Sequence, residues 1–422
     1  MSERNDPLRI EYGATVSGLS VVRQPPPAGA ASFSATYVGP AGWGYDSTNA
    51  AGTARAVSHL IPSGVGRHDR RSLARLLDAA GATLTSECAP ESAEVTVWGP
   101  SADWRKLLGL LADAVLRPRF ATDDLTRVRR QLIERQLREL SQPGSRADRE
   151  LFRAIYPVDH PYRTNGLGDR RSVNRLTRAQ LRAFHRTHYT AGAAQLVVTG
   201  PARLREVERE ARLRFSDFAE ERPPSLRFPR RAPPSPRTIL TALPGRSQVE
   251  VRIGGDSIAR SSEVYPAAFL ANEILGGRGT LSRLFRKVRE EGGLVYHASS
   301  ELEAMRYGGH WSVAAGTGAD RYVKVVKMVD AELARIESSV VSAPDLDEVR
   351  ESAIGEIPLA LESTADAHEL AVDVAYHQLP GDYLLRLPEL LRAVTPREVR
   401  AAAETAMDRR HGITVLAGPL SR

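Results

Sequence analysis

The 422-residue sequence predicts an α+β protein made of two copies of one unit, each a mostly antiparallel sheet packed with helices. Three observations predict it. A proline-rich stretch, residues 219–238, divides the chain almost at its middle. The same order of amphipathic and alternating segments recurs on either side of it. In each half, two neighbouring segments alternate polar and apolar residues with the period of two expected of half-buried strands. Proline lacks an amide donor and resists both helix and sheet, so 219–238 reads as a semi-rigid linker. The expected organisation is a first domain at 1–218, the linker, and a second domain at 239–422. Each half is long enough to bury its own core.

The elements follow in order. In the first half an apolar strand, 33–38, precedes a helix at 53–60. A second helix, 71–80, stops at Gly81, a residue suited to a left-handed cap. Alternating strands are expected at 83–88 and 93–98, then a helix at 102–116. In the second half the strand is 249–253 and the first helix 266–275, interrupted by Gly276 and Gly277. A helix at 281–290 closes at Gly292 and Gly293. Strands at 295–302 and 309–314 and a helix at 319–336 complete the match. Each half then adds helices and one late strand. These are 125–140, a helix capped at Thr177 that runs to 185, and the strand 195–199. Their counterparts are 343–359, 395–406 and 413–417. Fixed-order self-similarity of this length is the mark of an internal repeat.

Composition narrows the function. Hydrophobic residues make up 42% and charged residues 26% of the chain, ordinary values for a globular protein. No apolar run has the length of a bilayer span, and residues 1–6 are polar, so a cytoplasmic protein without membrane association is expected. The single cysteine, Cys88, excludes an internal disulfide framework. The formal charge of +7 comes almost wholly from arginine, since lysine occurs only at 106, 287, 324 and 327. These arginines alternate with Glu and Asp along amphipathic segments, the pattern of solvated helix faces, and no dense basic run signals a nucleic-acid partner.

Three phrases carry a family resemblance. They are GWGYDSTNAAGTARAVSHLIPSG (42–64), RAQLRAFHRTHYTAGAAQLVVTG (178–200) and ANEILGGRGTLSRLFRKVREEGGLVYHASS (271–300). In this order, inside a repeated layout, they resemble the pitrilysin/insulinase-type zinc metallopeptidases, in particular short bacterial chains related to mitochondrial processing peptidase. The resemblance covers nearly the whole chain. It implies two homologous sandwich-like domains that form half of a peptidase clamshell.

In that family, zinc is held by an inverted His-x-x-Glu-His motif on a helix of the first domain. Residues four apart share a helix face, so two imidazoles can hold one ion. The Glu between them activates the bound water, and a further Glu from a long downstream helix is the third ligand. Here Arg55 stands at the first His position, Ser58 at the general-base position, and His59 at the second His position. Arg135 falls at the third-ligand position, with Glu134 one residue away in register. The resemblance therefore implies a degenerate metal motif and no zinc bound by this chain.

The second domain of such enzymes supplies an Arg and a Tyr seven residues apart, whose donors meet the negative charge that develops on the scissile carbonyl. Arg289 and Tyr296 have that spacing. The implied role is a non-zinc-binding subunit of a heterodimeric peptidase, inactive alone. Its partner would be a homologous chain that holds the zinc, and its substrate a peptide. The alternative is a catalytically inactive member that acts as a peptide-binding or assembly subunit. His185, His188 and Tyr189 read as packing or capping residues. Gly276, Gly277 and Gly279 form a turn rather than a phosphate cradle, which would need a preceding strand and a following lysine. Ser58 lacks a Gly-x-Ser-x-Gly elbow, and Cys88 reads as a packed strand residue.

Overall fold

A computed structural model describes residues 6–229 and 235–420. The expected linker lies partly outside these residues. Its described part, up to residue 229, forms neither helix nor strand. Strand assignment begins at Arg237.

In chain order the first half holds β1 (Glu11–Val16), β2 (Leu19–Gln24), β3 (Ser32–Gly39), α1 (Thr53–Leu60), α2 (Arg70–Ala80), β4 (Thr83–Cys88) and β5 (Ala93–Pro100). Then come α3 (Trp104–Leu116), α4 (Thr122–Ser141), α5 (Pro143–Ile155), α6 (Arg170–Arg175), α7 (Arg178–His188), β6 (Gln195–Thr199) and α8 (Leu204–Arg214). The second half holds β7 (Arg237–Ala242), β8 (Gln248–Ser257), α9 (Tyr265–Asn272), β9 (Val295–Ala304) and β10 (Gly309–Gly318). It continues with α10 (Tyr322–Ser338), α11 (Ala343–Ala360), α12 (Thr364–Tyr376), α13 (Tyr383–Ala393), α14 (Pro396–Ala406) and β11 (Ile413–Gly418).

The first sheet runs β1-β2-β6-β3-β5-β4 and the second β7-β11-β8-β10-β9. Apart from β1, the two orders are the same once each strand is matched to its counterpart. Among the described residues each sheet also has a single parallel pair, β2 with β6 and β7 with β11; its other pairs are antiparallel. The repeat extends to the helices, with α3 to α7 lying between β5 and β6 and α10 to α14 between β10 and β11. The fold is α+β, with two mixed and mostly antiparallel sheets packed with helices.

Local chemistry sets the element ends. Asp69 caps α2 by accepting from the Ser72 amide (2.8 Å), and Gly81 follows with φ 57°. Thr177 with Gln180, and Thr395 with Glu398, form capping boxes on α7 and α14. Two of the expected helices differ in type. The segments Glu273–Gly277 and Phe285–Glu291 are wound as π-helix. A side chain on Gly276 would place its Cβ 2.4 Å from the Ser300 amide, so this turn must lie directly against β9.

The chain forms two compact units that do not follow its midpoint. The first comprises Met1–Gln136, Asn165–Arg227 and Ile357–Leu385. The second comprises Leu137–Thr164, Phe228–Glu356 and Arg386–Arg422. Helices α5 and α12, each third in its set, are exchanged. In the first unit α12 lies on β3 and β6. There His368 offers both ring nitrogens to hydroxyls, Thr36 at 2.7 Å and Thr199 at 2.8 Å. In the second unit α5 lies on β8 and β11, where Ala147, Leu151 and Ala154 cluster with Ile413, Val415 and Ala417.

Candidate functional site

Helix α1 begins at Gly52, whose φ of 98° suits only glycine. Asp46 closes its N-terminus, accepting from the amides of Gly52 (2.7 Å) and Ala54 (2.9 Å). Burial pushes this carboxyl up to about 7 against the pull of those amides and of Arg55. The Arg55 guanidinium lies over the Trp43 ring, 4.4 Å from its centroid, and its Nε donates to the Asn165 carbonyl. Ser58 is buried and shares a hydrogen bond with Ser86 on β4 (3.0 Å).

His59 is exposed on the same helix face as Arg55. Partial burial lowers its pKa first, and the charges of Arg55, Arg135 and Arg127 lower it further. Two of these arginines, Arg127 and Arg135, lie on α4. Arg135 and Glu134 are both exposed; Arg135 continues the line of the buried Leu125, Val128 and Leu132 by about one turn, whereas Glu134 lies off that line. Arg127, about two turns earlier on α4, was missed by reading the motif alone. Its Nη2 donates to Ser63 Oγ (2.8 Å), which in turn donates to the His59 carbonyl (3.1 Å). Zinc does not fit these residues. His59 is accompanied by the charges of Arg55, Arg135 and Arg127, and a guanidinium is no ligand. Among the described residues no three of His, Cys, Asp and Glu come together in a way that could hold a metal ion.

The second constellation lies in the other unit. Arg289 is exposed on the π-helical segment, its guanidinium carbon 4.8 Å from the Phe285 ring centroid. The chain then turns at Gly293 (φ 57°), whose amide donates to the Arg289 carbonyl (3.1 Å). Leu294 is held by Thr317 through its carbonyl (2.5 Å). Tyr296 follows at the start of β9, an edge strand. On β10, Gly316 pairs with His297 and Thr317 with Val295, so Tyr296 is the extra residue of a β-bulge. Its side chain is 62% exposed. A bulge re-aims one side chain out of the strand's alternation, and a π-turn inserts a residue into a helix with similar effect. Neither device was visible in the spacing.

The other candidates have structural explanations. His185 bonds the Val115 carbonyl (2.8 Å) and stacks on Tyr189, centroids 4.8 Å apart. His188 packs against Phe184 and Tyr45 at 4.4 and 4.6 Å. Burial lowers both histidines to about 4. Tyr189 stacks on Tyr37 (5.9 Å). A Cβ on Gly277 would lie 2.2 Å from Glu273 Oε1, and Gly279 has φ 50°, so the glycines serve a tight turn. Burial drives the Cys88 thiol up to about 12, too high for a thiolate nucleophile.

No helix among the described residues is long and apolar enough to cross a membrane. Residues 22–156 match the family described as insulinase (peptidase family M16), and residues 175–353 match the peptidase M16 inactive domain. An uncharacterized zinc protease of Mycobacterium leprae is 27% identical over 413 residues, covering 95% of this chain and 90% of that protein. The crystal structure of a peptidase M16 inactive domain from Pseudomonas fluorescens is 26% identical. It superposes with a TM-score of 0.91 over 98% of both chains. The periplasmic protease PqqL of Escherichia coli, 16% identical with a TM-score of 0.80, shares the fold over 99% of this chain but 47% of its own length. On these grounds the chain belongs to the M16 insulinase/pitrilysin peptidase family and contains both the N-terminal M16 domain and the inactive C-terminal M16 domain.

Proposed function

We propose that this chain is the non-zinc-binding subunit of a two-chain peptidase, and that it supplies Arg289 and Tyr296 to a site whose metal belongs to a homologous partner. One contrast supports the reading: His59 on α1 has arginine charges around it and, among the described residues, no cluster of metal-ligand type, while an exposed Arg289 and a bulged, exposed Tyr296 stand in the other unit. A guanidinium and a phenol are both hydrogen-bond donors. Aimed at a carbonyl oxygen that gains charge, they stabilise the tetrahedral intermediate. The substrate is a peptide, as the family implies. PqqL, about twice the length of the region it shares with this chain, supports a functional assembly of two such lengths.

The test is co-expression with a homologous chain that has an intact His-x-x-Glu-His motif, followed by peptide hydrolysis with and without this subunit. Tyr296→Phe is expected to lower turnover about 10²–10³-fold, the scale of one lost oxyanion donor, with assembly unchanged. Normal turnover in both Tyr296→Phe and Arg289→Ala would leave the peptide-binding or assembly role, which the arginine-filled motif also favours. Cell fractionation decides between the cytoplasm and the periplasm, the compartment of PqqL.

A further inference from the structure

We infer that His297 is a positioning residue: held to Glu250 across Gly316, it fixes the bulge that presents Tyr296. The inference rests on the role proposed for Tyr296 above. Glu250 on β8, Gly316 on β10 and His297 on β9 stand in one line across the second sheet, because Gly316 pairs with both of the others. The outer two are roughly 10 Å apart along that line, so their side chains can meet only over the strand between them. Gly316 leaves that space: a Cβ there would lie 2.5 Å from His297 Cε1 and 3.0 Å from Glu250 Oε1. His297 Nε2 lies 3.4 Å from Glu250 Oε2. Glu250 has a further anchor. The same oxygen accepts from Arg252 Nη1 (2.9 Å), whose Nε donates to Asp148 on α5 (2.5 Å). Glu250 and Arg252 are both buried. Gly144 on α5 makes room for this guanidinium, since a Cβ there would lie 3.0 Å from Arg252 Nη2. All these residues belong to the second unit.

The bulge is therefore held on both flanks. Neighbouring residues of a strand face opposite sides of its sheet. Val295, opposite Thr317, and His297, opposite Gly316, thus lie on opposite faces. Val295 packs against the core of the second unit, and Thr317 binds the Leu294 carbonyl just before it. His297 is fastened on the other face by Glu250. Tyr296 is left over between two committed neighbours, and its side chain is exposed. β9 is an edge strand, so its outer side carries no ladder to hold it. The contact with Glu250 supplies part of the restraint that a second neighbouring strand would give. Its loss lets the bulge shift and the phenol move with it. A displacement of about 1 Å from productive geometry can cost about 10²-fold in rate.

The experiment labels the full chain with fluorotyrosine and follows Tyr296 by fluorine NMR, its signal identified by loss in Tyr296→Phe. Hydrogen exchange over residues 294–298 is measured alongside. Glu250→Gln, two strands from Tyr296, should shift that signal and raise the exchange about tenfold or more, and so should His297→Ala. The two changes should not add in the double variant, because both act through one contact. His297→Gln, whose amide can still donate, should recover part of the parent behaviour, and Arg400→Gln on α14 should change nothing. In the complex with a zinc-bearing partner, His297→Ala should lower kcat about tenfold or more with KM unchanged. It should cause no further loss in the Tyr296→Phe background. The inference is overturned if Glu250→Gln leaves the signal and the exchange as in the parent, if the two changes add, or if His297→Ala keeps full turnover where Tyr296→Phe loses it. The His297 side chain is 48% exposed, so His297→Ala serves if Glu250→Gln does not fold, and unchanged exchange in it overturns the inference as well. Normal turnover by Tyr296→Phe would remove the role of Tyr296 and leave the clamp to be read in the isolated chain. An unmoved signal would remove the clamp and leave that role standing.

Discussion

Acidification from about pH 7.5 to about pH 5 is expected to destabilise the first unit by about 2 kcal/mol through His368 alone. The ring is 4% exposed. Its nitrogens meet the hydroxyls of Thr36 and Thr199, and those hydroxyls reach on to Thr96 (2.8 Å) and Gln24 (3.0 Å). No carboxylate is among these partners, so nothing there supports an imidazolium. Burial lowers the pKa from 6.5 to about 3. A base whose pKa is depressed on folding contributes stability that is fully present above its unfolded pKa. That contribution is lost progressively as pH falls from about 6.5 toward about 3, because the unfolded chain takes up the proton first. Each pH unit within this window is worth about 1.4 kcal/mol, which gives the stated loss at pH 5. The assay is hydrogen exchange of α12 amides, with urea unfolding, across this range in the parent and in His368→Gln. Glutamine keeps a donor and an acceptor but does not titrate. The variant should lose about 2 kcal/mol of the parent's pH dependence. Superimposable pH profiles would refute the reasoning.

Other outcomes follow from single sites. Asp46→Ala removes the cap of α1 and should cost about 1–2 kcal/mol, read by thermal unfolding. Glu94 sits opposite Glu87 across β4 and β5. Burial first, then Glu87, Glu369 and Asp373, raise it to about 7. An acid with a raised folded pKa loses stability as pH climbs from about 4.5 to about 7, so Glu94→Gln should stabilise the protein by about 1 kcal/mol or more at pH 8 and little at pH 4. Cys88 should resist a thiol reagent at neutral pH and react when the chain is unfolded in urea, followed by absorbance.

Much of the fold was legible because its signals are local. Alternation located β4 and β5, and α1 begins and ends where the pattern at 53–60 places it. Gly81 and Thr177 act as the caps expected of them. The shared face of Arg55 and His59 could also be read directly, since four-residue spacing on a helix translates into one face. Strand β2 was missed because it is almost wholly buried and shows no alternation. Helix α5 was missed because it opens with Pro143 and Gly144, which look like a break although proline suits a helix's first turn.

Residue order alone could indicate the repeat, the spacing of Arg55 and His59 and the spacing of Arg289 and Tyr296, because each depends on local patterns along the chain. It could not assign α5 and α12 to the sheets they cover. An amphipathic helix shows that it has an apolar face, not which distant surface buries it. Nor could it place Arg127 beside His59, or expose Tyr296 through a bulge. Those features arise from contacts between segments far apart in sequence, and they exist only once the chain is folded.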